Sequence, residues 1–309
     1  MIKLYVEKLY RYPRLQEHLS VAVPFPKGKL STMDGIRVLD GNKVLPVQCK
    51  VTARYGDGSV KYLFVRFIAD LPGNQGKEFA LYTKSEDLHL GSQEVEDSVE
   101  GITPISIEMF SEGGYRLTNG SLQFQVKDHS ERIFHALHDG FQSYDAERFE
   151  GPLLEEREEG ATFDAGLSEP YFLTIHEWSI IEEGPWCVIL KAQGSHEGKN
   201  RKVPFEIRLT LYAGKPWIEV SYRIINFSDR ILEIGALGFY CKAENDSIVT
   251  SVLDTEEQDS VLEKNAINQG IHTVEKYHVY RATGTGSLGD IERLAPVERV
   301  RTCTGYSNY

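Results

Sequence analysis

The fold is decided by three consecutive stretches, Ile207-Arg-Leu-Thr-Leu-Tyr212, Ala213-Gly-Lys-Pro216 and Trp217-Ile-Glu-Val-Ser-Tyr-Arg-Ile224. Apolar side chains recur at every second position of the first and third stretches, which is the period of a strand with one buried face. In the third stretch they are Ile218, Val220, Tyr222 and Ile224. Gly214 and Pro216 favour a turn between the two runs. The same alternation recurs from end to end with almost no amphipathic helix, so the sequence predicts an all-β protein.

Two β domains are predicted along the chain. Residues 1–84 hold about six short alternating runs separated by turns, a pattern typical of a small barrel. Residues 85–100 become acidic and lose the alternation, which indicates an interdomain linker. Residues 101–309 hold further short strands, including a predicted hairpin turn at Asn119-Gly120 and a predicted irregular stretch at 147–166. This second segment is expected to form a large antiparallel sandwich.

Composition limits the classes of function. The formal net charge is −12, from 46 acidic and 34 basic residues, and a surface of that sign disfavours binding to nucleic acid. An anionic sugar is still compatible with such a surface, because a local basic pocket can form in an acidic protein. No apolar run approaches the roughly 18 residues of a membrane span, and the charged N-terminal residues are unlike a signal peptide. The expected location is cytoplasmic, with no membrane partner.

No metal or cofactor is predicted. The four cysteines lie far apart, without the spacing of zinc ligands. They are Cys49, Cys187, Cys241 and Cys303. His135 and His138 form a weak His-x-x-His pair beside Asp139, but Asp139-Gly140 is better explained as a turn.

Three other motifs have simpler explanations than chemistry. Asp57-Gly-Ser59 lacks the G-x-S-x-G frame of a nucleophile elbow and is followed by a predicted strand, which favours a turn. The acidic run Glu155–Glu159 lacks the spaced carboxylates of a calcium loop and indicates a solvated loop. Gly284–Gly289 is out of register with a dinucleotide-binding fingerprint and indicates a flexible loop.

Several segments together resemble the exo-rhamnogalacturonan lyase family. Val21-Ala-Val-Pro-Phe-Pro-Lys-Gly28 and Ala53-Arg-Tyr-Gly-Asp-Gly-Ser-Val-Lys-Tyr62 resemble the opening of its RIFT-type β barrel, with Tyr62 where Trp is frequent. Three later segments resemble the central β-sandwich of that family, which is a supersandwich shared with galactose mutarotase. They are residues 119–126, 183–186 and 211–220.

The resemblance implies an enzyme that degrades pectin-derived oligosaccharides by β-elimination. Members of the family continue into a helical toroid that holds much of the catalytic machinery, and no such helices are predicted here. The chain therefore resembles the non-helical N-terminal part, inactive alone, with an acidic oligosaccharide and a C-terminal helical catalytic domain as implied partners. Residues 299–309 show no final amphipathic element, so the chain is expected to be interrupted there. The alternatives are a non-catalytic carbohydrate-binding or domain-packing module, and a glycoside hydrolase or epimerase relative, for which no paired carboxylates stand out.

One candidate binding pair is predicted, and no catalytic residue. β-Elimination needs a base for the C5 proton and a cation near the carboxylate, which the sequence does not single out. His176 and Trp178 lie two positions apart in the run Tyr171–Ile181, so they are expected to share one face of a strand. Tryptophan stacks on sugar rings and imidazole hydrogen-bonds to hydroxyls, so substrate contact or domain packing is predicted. Burial of both side chains between the two sheets would instead make them core residues.

Overall fold

The computed structural model describes residues 1–8, 11–83, 101–157, 168–199, 201–227, 231–241, 247–252, 276–283 and 291–298. Apart from one 3-10 turn at Ala146–Arg148, the regular elements in these ranges are strands. The chain forms two compact units, Met1–Tyr240 and Cys241–Tyr309. The all-β prediction is confirmed.

Seven strands form the N-terminal barrel. They are β1 (Ile2–Val6), β2 (Arg14–Pro24), β3 (Arg37–Asp40), β4 (Lys43–Leu45), β5 (Val47–Arg54), β6 (Val60–Leu71) and β7 (Lys77–Tyr82). Two antiparallel sheets, ordered β1-β7-β3-β4 and β2-β6-β5, enclose one apolar core. Val38, Leu63 and Leu81 are fully buried in it, because each occupies an inward position of an alternating strand.

Twelve strands follow in the sandwich region. They are β8 (Ser106–Met109), β9 (Tyr115–Thr118), β10 (Gln123–Val126), β11 (Ala136–His138), β12 (Ser143–Asp145), β13 (Phe149–Arg157), β14 (Ser168–Pro170), β15 (Phe172–Glu182), β16 (Cys187–Glu197), β17 (Lys202–Tyr212), β18 (Ile218–Ile224) and β19 (Ile234–Cys241). The sheets are ordered β12-β11-β10-β9-β8, β15-β16-β17-β18 and β14-β13-β19. The first two share a core in which Phe124, Leu190 and Ile207 are almost fully enclosed.

The predicted hairpin at 207–224 is confirmed. β17 pairs with β18 in an antiparallel register that places Leu211 opposite Ile218 and Leu209 opposite Val220. The predicted irregular stretch at 147–166 is wrong over Phe149–Arg157, which forms β13.

The second compact unit contains one described sheet. Its strands are β20 (Ser247–Val252), β21 (Lys276–Thr283) and β22 (Ile291–Glu298), paired antiparallel in that order. The predicted linker at 85–100, the loop Gly284–Gly289 and the C-terminal residues 299–309 lie outside the described residues. Over the ranges that are described, no helix is long and apolar enough to cross a membrane.

The turn at Asn119-Gly120 forms as predicted, and its asparagine also joins two hairpins. Asn119 is fully buried between β9 and β10. Its Nδ2 donates to the backbone carbonyls of Tyr212 at 2.7 Å and Lys215 at 2.8 Å. Its Oδ1 accepts from the backbone N–H groups of Ser121 at 3.0 Å and Leu122 at 2.7 Å. One side chain therefore satisfies four polar groups of two neighbouring turns.

Replacing Asn119 with Ala is expected to lower the free energy of unfolding by about 3 kcal/mol, because buried carbonyl and N–H groups lose their partners. Asn42→Ala is the matched control, since Asn42 lies in the exposed turn between β3 and β4. That control should change stability by less than about 0.5 kcal/mol. Urea unfolding measures both variants, and equal midpoints for the two would contradict the role assigned to Asn119.

Gln48 on β5 connects the barrel to the sandwich. Its Oε1 accepts from the backbone N–H groups of Trp186 at 3.1 Å and Cys187 at 2.9 Å, and its Nε2 donates to the Cys187 carbonyl at 2.9 Å. A Cβ added at Gly184 would lie only 2.2 Å from Gln48 Cδ, so glycine is required for this approach. The side-chain amide of Gln48 therefore hydrogen-bonds to the backbone at the start of β16, as a neighbouring strand would, and links the barrel to the sandwich.

Glu182 is the second connection between the barrel and the sandwich. Arg66 Nε on β6 lies 2.6 Å from Glu182 Oε1, and the Glu182 side chain is only 7% exposed. Gln48 Nε2 also donates to this carboxylate at 3.3 Å, and Lys50 Nζ lies 3.9 Å from it. Lys50 further donates to the carbonyl of Ile181 at 2.7 Å. The ion pair and its hydrogen bonds fix the barrel against the end of β15.

Candidate functional site

The predicted pair on β15 does not share a face. The register with β16 shifts between Ile175 and Glu177, so this part of β15 holds a β-bulge. A bulge adds one residue to a strand and reverses the alternation beyond it. His176 is therefore exposed, whereas Trp178 is 4% exposed in the core between the two sheets. The expectation of a shared face is wrong, and the predicted substrate contact of both residues stays a prediction.

His176 lies in a polar chain of side chains at one end of the four-stranded sheet. Its Nε2 is 3.3 Å from Ser195 Oγ on β16, and that hydroxyl donates to Glu197 Oε1 at 3.4 Å. Lys202 Nζ on β17 donates to the same Glu197 oxygen at 2.7 Å. We call these four residues the strand-end cluster. The hydrogen bond and positive charge of Lys202 lower the pKa of Glu197 below its usual range.

The strand-end cluster is not a hydrolytic triad. In such a triad the histidine lies between the serine and the acid, takes the serine proton and is oriented by the carboxylate. Here Ser195 lies between His176 and Glu197, so the carboxylate accepts from the hydroxyl and not from the imidazole. Ser195 is also only 1% exposed, which keeps its oxygen away from a substrate carbonyl. The cluster can orient His176 as a hydrogen-bonding group at the surface.

A second histidine lies next to the cluster in sequence but on the opposite, buried side. His196 is fully enclosed, and its Nε2 is hydrogen-bonded to the hydroxyl of Tyr222 on β18. Phe205 packs beside it, with ring centroids 5.0 Å apart. Burial lowers the pKa of His196 to about 4 and raises that of Tyr222. His196 is enclosed and cannot reach a bound sugar, and the raised pKa keeps the partly buried Tyr222 neutral at pH 7.

An arginine with the chemistry expected of a carboxylate-binding group is already paired. Arg201 Nε donates to Glu156 Oε2 at 3.1 Å, its Nη2 contacts the same carboxylate, and the Tyr171 hydroxyl donates to it as well. Desolvation opposes ionisation of Glu156, but the bonds from Arg201 and Tyr171 lower its pKa overall. Burial, followed by the Glu156 bond, raises the pKa of Tyr171. The group is a neutralised structural ion pair, and its tyrosine is poorly suited to act as a base.

His135 lies directly before β11 and His138 ends it, and Asp139 beside them is engaged by its own turn. Asp139 accepts from the backbone N–H groups of Phe141 at 3.0 Å and Gln142 at 2.8 Å, which is the turn expected at Asp139-Gly140. His138 Nδ1 lies 2.8 Å from the Gln142 carbonyl. Within the part of the chain that the structure describes, no three His, Cys, Asp or Glu side chains are grouped as metal ligands.

Comparison with protein families decides what the two domains are. The model of the PcRGLX-like N-terminal RIFT barrel domain matches residues 3–65, and that of the PcRGLX-like protein central beta sandwich domain matches residues 105–245. The chain belongs to the PcRGLX-like family. The exo-rhamnogalacturonan lyase resemblance and the order of barrel and sandwich are thereby confirmed. No curated protein gives a significant match to the chain.

The two barrel motifs that carry the PcRGLX-like resemblance hold each other in place. Ser59 Oγ accepts from the Gly28 backbone N–H at 2.9 Å and donates to Asp57 Oδ1 at 2.6 Å. The Tyr55 hydroxyl donates to the carbonyl of Phe25 at 3.1 Å. The Asp57-Gly-Ser59 turn is confirmed, and its serine is a buried hydrogen-bonding group that closes the barrel.

The polar contacts between barrel and sandwich were not predicted from the sequence. Arg66, Gln48 and Glu182 come from three separate strands, and only the folded chain brings them together. A weak signal was available, because Glu183-Gly-Pro-Trp186, one of the segments that carry the family resemblance, lies directly after Glu182.

Proposed function

We propose that this chain is the barrel–sandwich part of a PcRGLX-like enzyme that degrades pectin-derived oligosaccharides by β-elimination. The observation that carries the proposal is the succession of both non-helical family domains in one chain, at residues 3–65 and 105–245. The barrel and the sandwich are joined by the Gln48 and Glu182 contacts, which suits a rigid platform for substrate binding.

The catalytic step of the proposed enzyme is assigned to a helical domain that follows this chain. β-Elimination needs an accessible base and a cation free to meet the substrate carboxylate. In the described ranges, two groups of suitable chemistry are engaged elsewhere: Arg201 with Glu156, and the enclosed His196 with Tyr222. These pairings support a chain that is inactive alone and contributes binding surface.

His176 is the proposed substrate contact of the sandwich. It is exposed, and Ser195 is within hydrogen-bonding distance of its ring, so it can present a polar group to sugar hydroxyls. Trp178 is enclosed in the core, which supports a packing role beneath the strand. A cytoplasmic location is also proposed, and the free thiols of Cys49 and Cys187 are compatible with it.

The proposal is tested by the product that the intact gene product releases from rhamnogalacturonan oligosaccharides. A lyase leaves an unsaturated uronide that absorbs in the near ultraviolet, and we expect this absorbance to rise with time. New reducing ends without absorbance would identify a hydrolase instead. Binding without any product would favour the carbohydrate-binding module. Either of these two results would overturn the proposed β-elimination.

A further inference from the structure

A cavity of about 520 Å³ lies between the barrel and the sandwich. On the barrel side it is lined by the segment that leads into β3 and by the β4–β5 junction around Pro46. On the sandwich side its wall is formed by Pro104, Pro185 and Trp186. Small-molecule sites typically have volumes of roughly 300–1,000 Å³, and this cavity falls within that range.

Among the described residues that line the cavity, one is charged, and it is a cation. This residue is Arg37, at the start of β3. It is half-buried and makes no ion pair with a carboxylate of the described residues. An arginine beside apolar walls favours a planar anion that accepts two parallel hydrogen bonds, and carboxylates have this shape.

The sandwich wall of the cavity is fixed by the domain interface. The backbone N–H of Trp186 donates to Gln48 Oε1 at 3.1 Å, and the Trp186 side chain packs with Ile68 and Ala213. A wall that is ordered before the ligand arrives costs less entropy to occupy than a flexible one. Pro104 and Pro185 are exposed and offer apolar surfaces against which the C–H face of a sugar ring can pack, and Trp186, only 4% exposed, supports this wall from the core.

We propose that this cavity binds a uronic acid residue of an oligosaccharide, with its carboxylate on Arg37 and its ring against the Pro185-Trp186 wall. The choice of a uronate among carboxylates rests on the proposed function, because pectin-derived chains carry that acid. The residues that line the cavity are different from those of the strand-end cluster. It would hold a part of the substrate without taking part in the elimination.

The test uses the full chain and D-galacturonate as the probe. Amide signals of Ile36, Val47 and Trp186 should shift in nuclear magnetic resonance titrations with galacturonate, and much less with galactose or acetate at equal concentration. Galactose lacks the carboxylate and acetate lacks the ring, so the comparison separates the two recognised features. Equal shifts with acetate, equal shifts with galactose, or no shift at these residues would each overturn the proposal.

A pair of charge-matched variants assigns the binding to Arg37. Arg37→Gln should weaken galacturonate binding at least about tenfold, the effect of losing a charge-assisted hydrogen bond. Arg223→Gln removes the same charge from the exposed strand β18 and should leave the affinity unchanged. Equal effects of the two variants would contradict the site. The failure of this inference can be told apart from the failure of the proposed function. If the enzyme makes unsaturated uronide but Arg37→Gln binds galacturonate as tightly as the unmodified chain, only the site at Arg37 is overturned.

Discussion

Replacing Glu182 with Ala is expected to lower the free energy of unfolding by about 3–5 kcal/mol. The carboxylate lies 2.6 Å from Arg66 Nε and also accepts from Gln48, and its side chain is 7% exposed. Its removal leaves the guanidinium of Arg66, 14% exposed, without its counter-charge at the domain interface. Stability is measured by urea unfolding followed by circular dichroism.

Two further variants distinguish the effect of breaking the buried Glu182–Arg66 pair from the effect of removing any charged side chain. Glu78→Gln breaks the pair with Lys3, whose side chains are 62% and 70% exposed, and should cost less than about 1 kcal/mol. The double variant Glu182→Leu with Arg66→Met should be less destabilised than Glu182→Ala, because no buried guanidinium is left unpaired and the remaining Lys50 is 43% exposed. A Glu182→Ala protein as stable as Glu78→Gln would contradict the interface described above.

Acidification is expected to destabilise the sandwich through His196. Burial lowers the pKa of His196 to about 4 in the folded chain, whereas an unfolded histidine titrates near pH 6.5. Between these values the unfolded chain binds the proton and the folded chain does not. The contribution of His196 to the free energy of unfolding is therefore complete above pH 6.5 and is lost as the pH falls toward 4. The difference between the two pKa values corresponds to about 3 kcal/mol.

His196→Gln tests this dependence, because glutamine can still accept from Tyr222 but does not titrate. The variant should show a shallower loss of stability between pH 6.5 and 4 than the unmodified chain. His176→Gln is the control, since it makes the same substitution at an exposed histidine. An identical slope for His196→Gln and the unmodified chain would show that His196 does not carry the effect.

Local features of the sequence were sufficient to predict the hairpins. The 207–224 hairpin has both its alternation and its turn residues within eighteen positions, and β17 and β18 pair as that pattern predicts. The Asp57-Gly-Ser59 and Asp139-Gly140 turns form for the same reason, since an aspartate accepts hydrogen bonds from nearby backbone groups in both.

The features that were missed depend on contacts between distant parts of the chain. The bulge in β15 is defined by its register with β16, so residue spacing in one strand could not reveal that His176 and Trp178 point to opposite sides. β13 was mistaken for a loop because its charged stretch lacks alternation. Glu182 and Arg66 are 116 positions apart, and their pairing has no local signature.

The most direct test of the central claim is the near-ultraviolet absorbance of rhamnogalacturonan oligosaccharides incubated with this chain alone. We predict no increase in absorbance, while the intact gene product under the same conditions produces one. A chain of residues 1–309 that generates the unsaturated uronide by itself would contradict the account, because the elimination would then have to occur on the barrel and the sandwich.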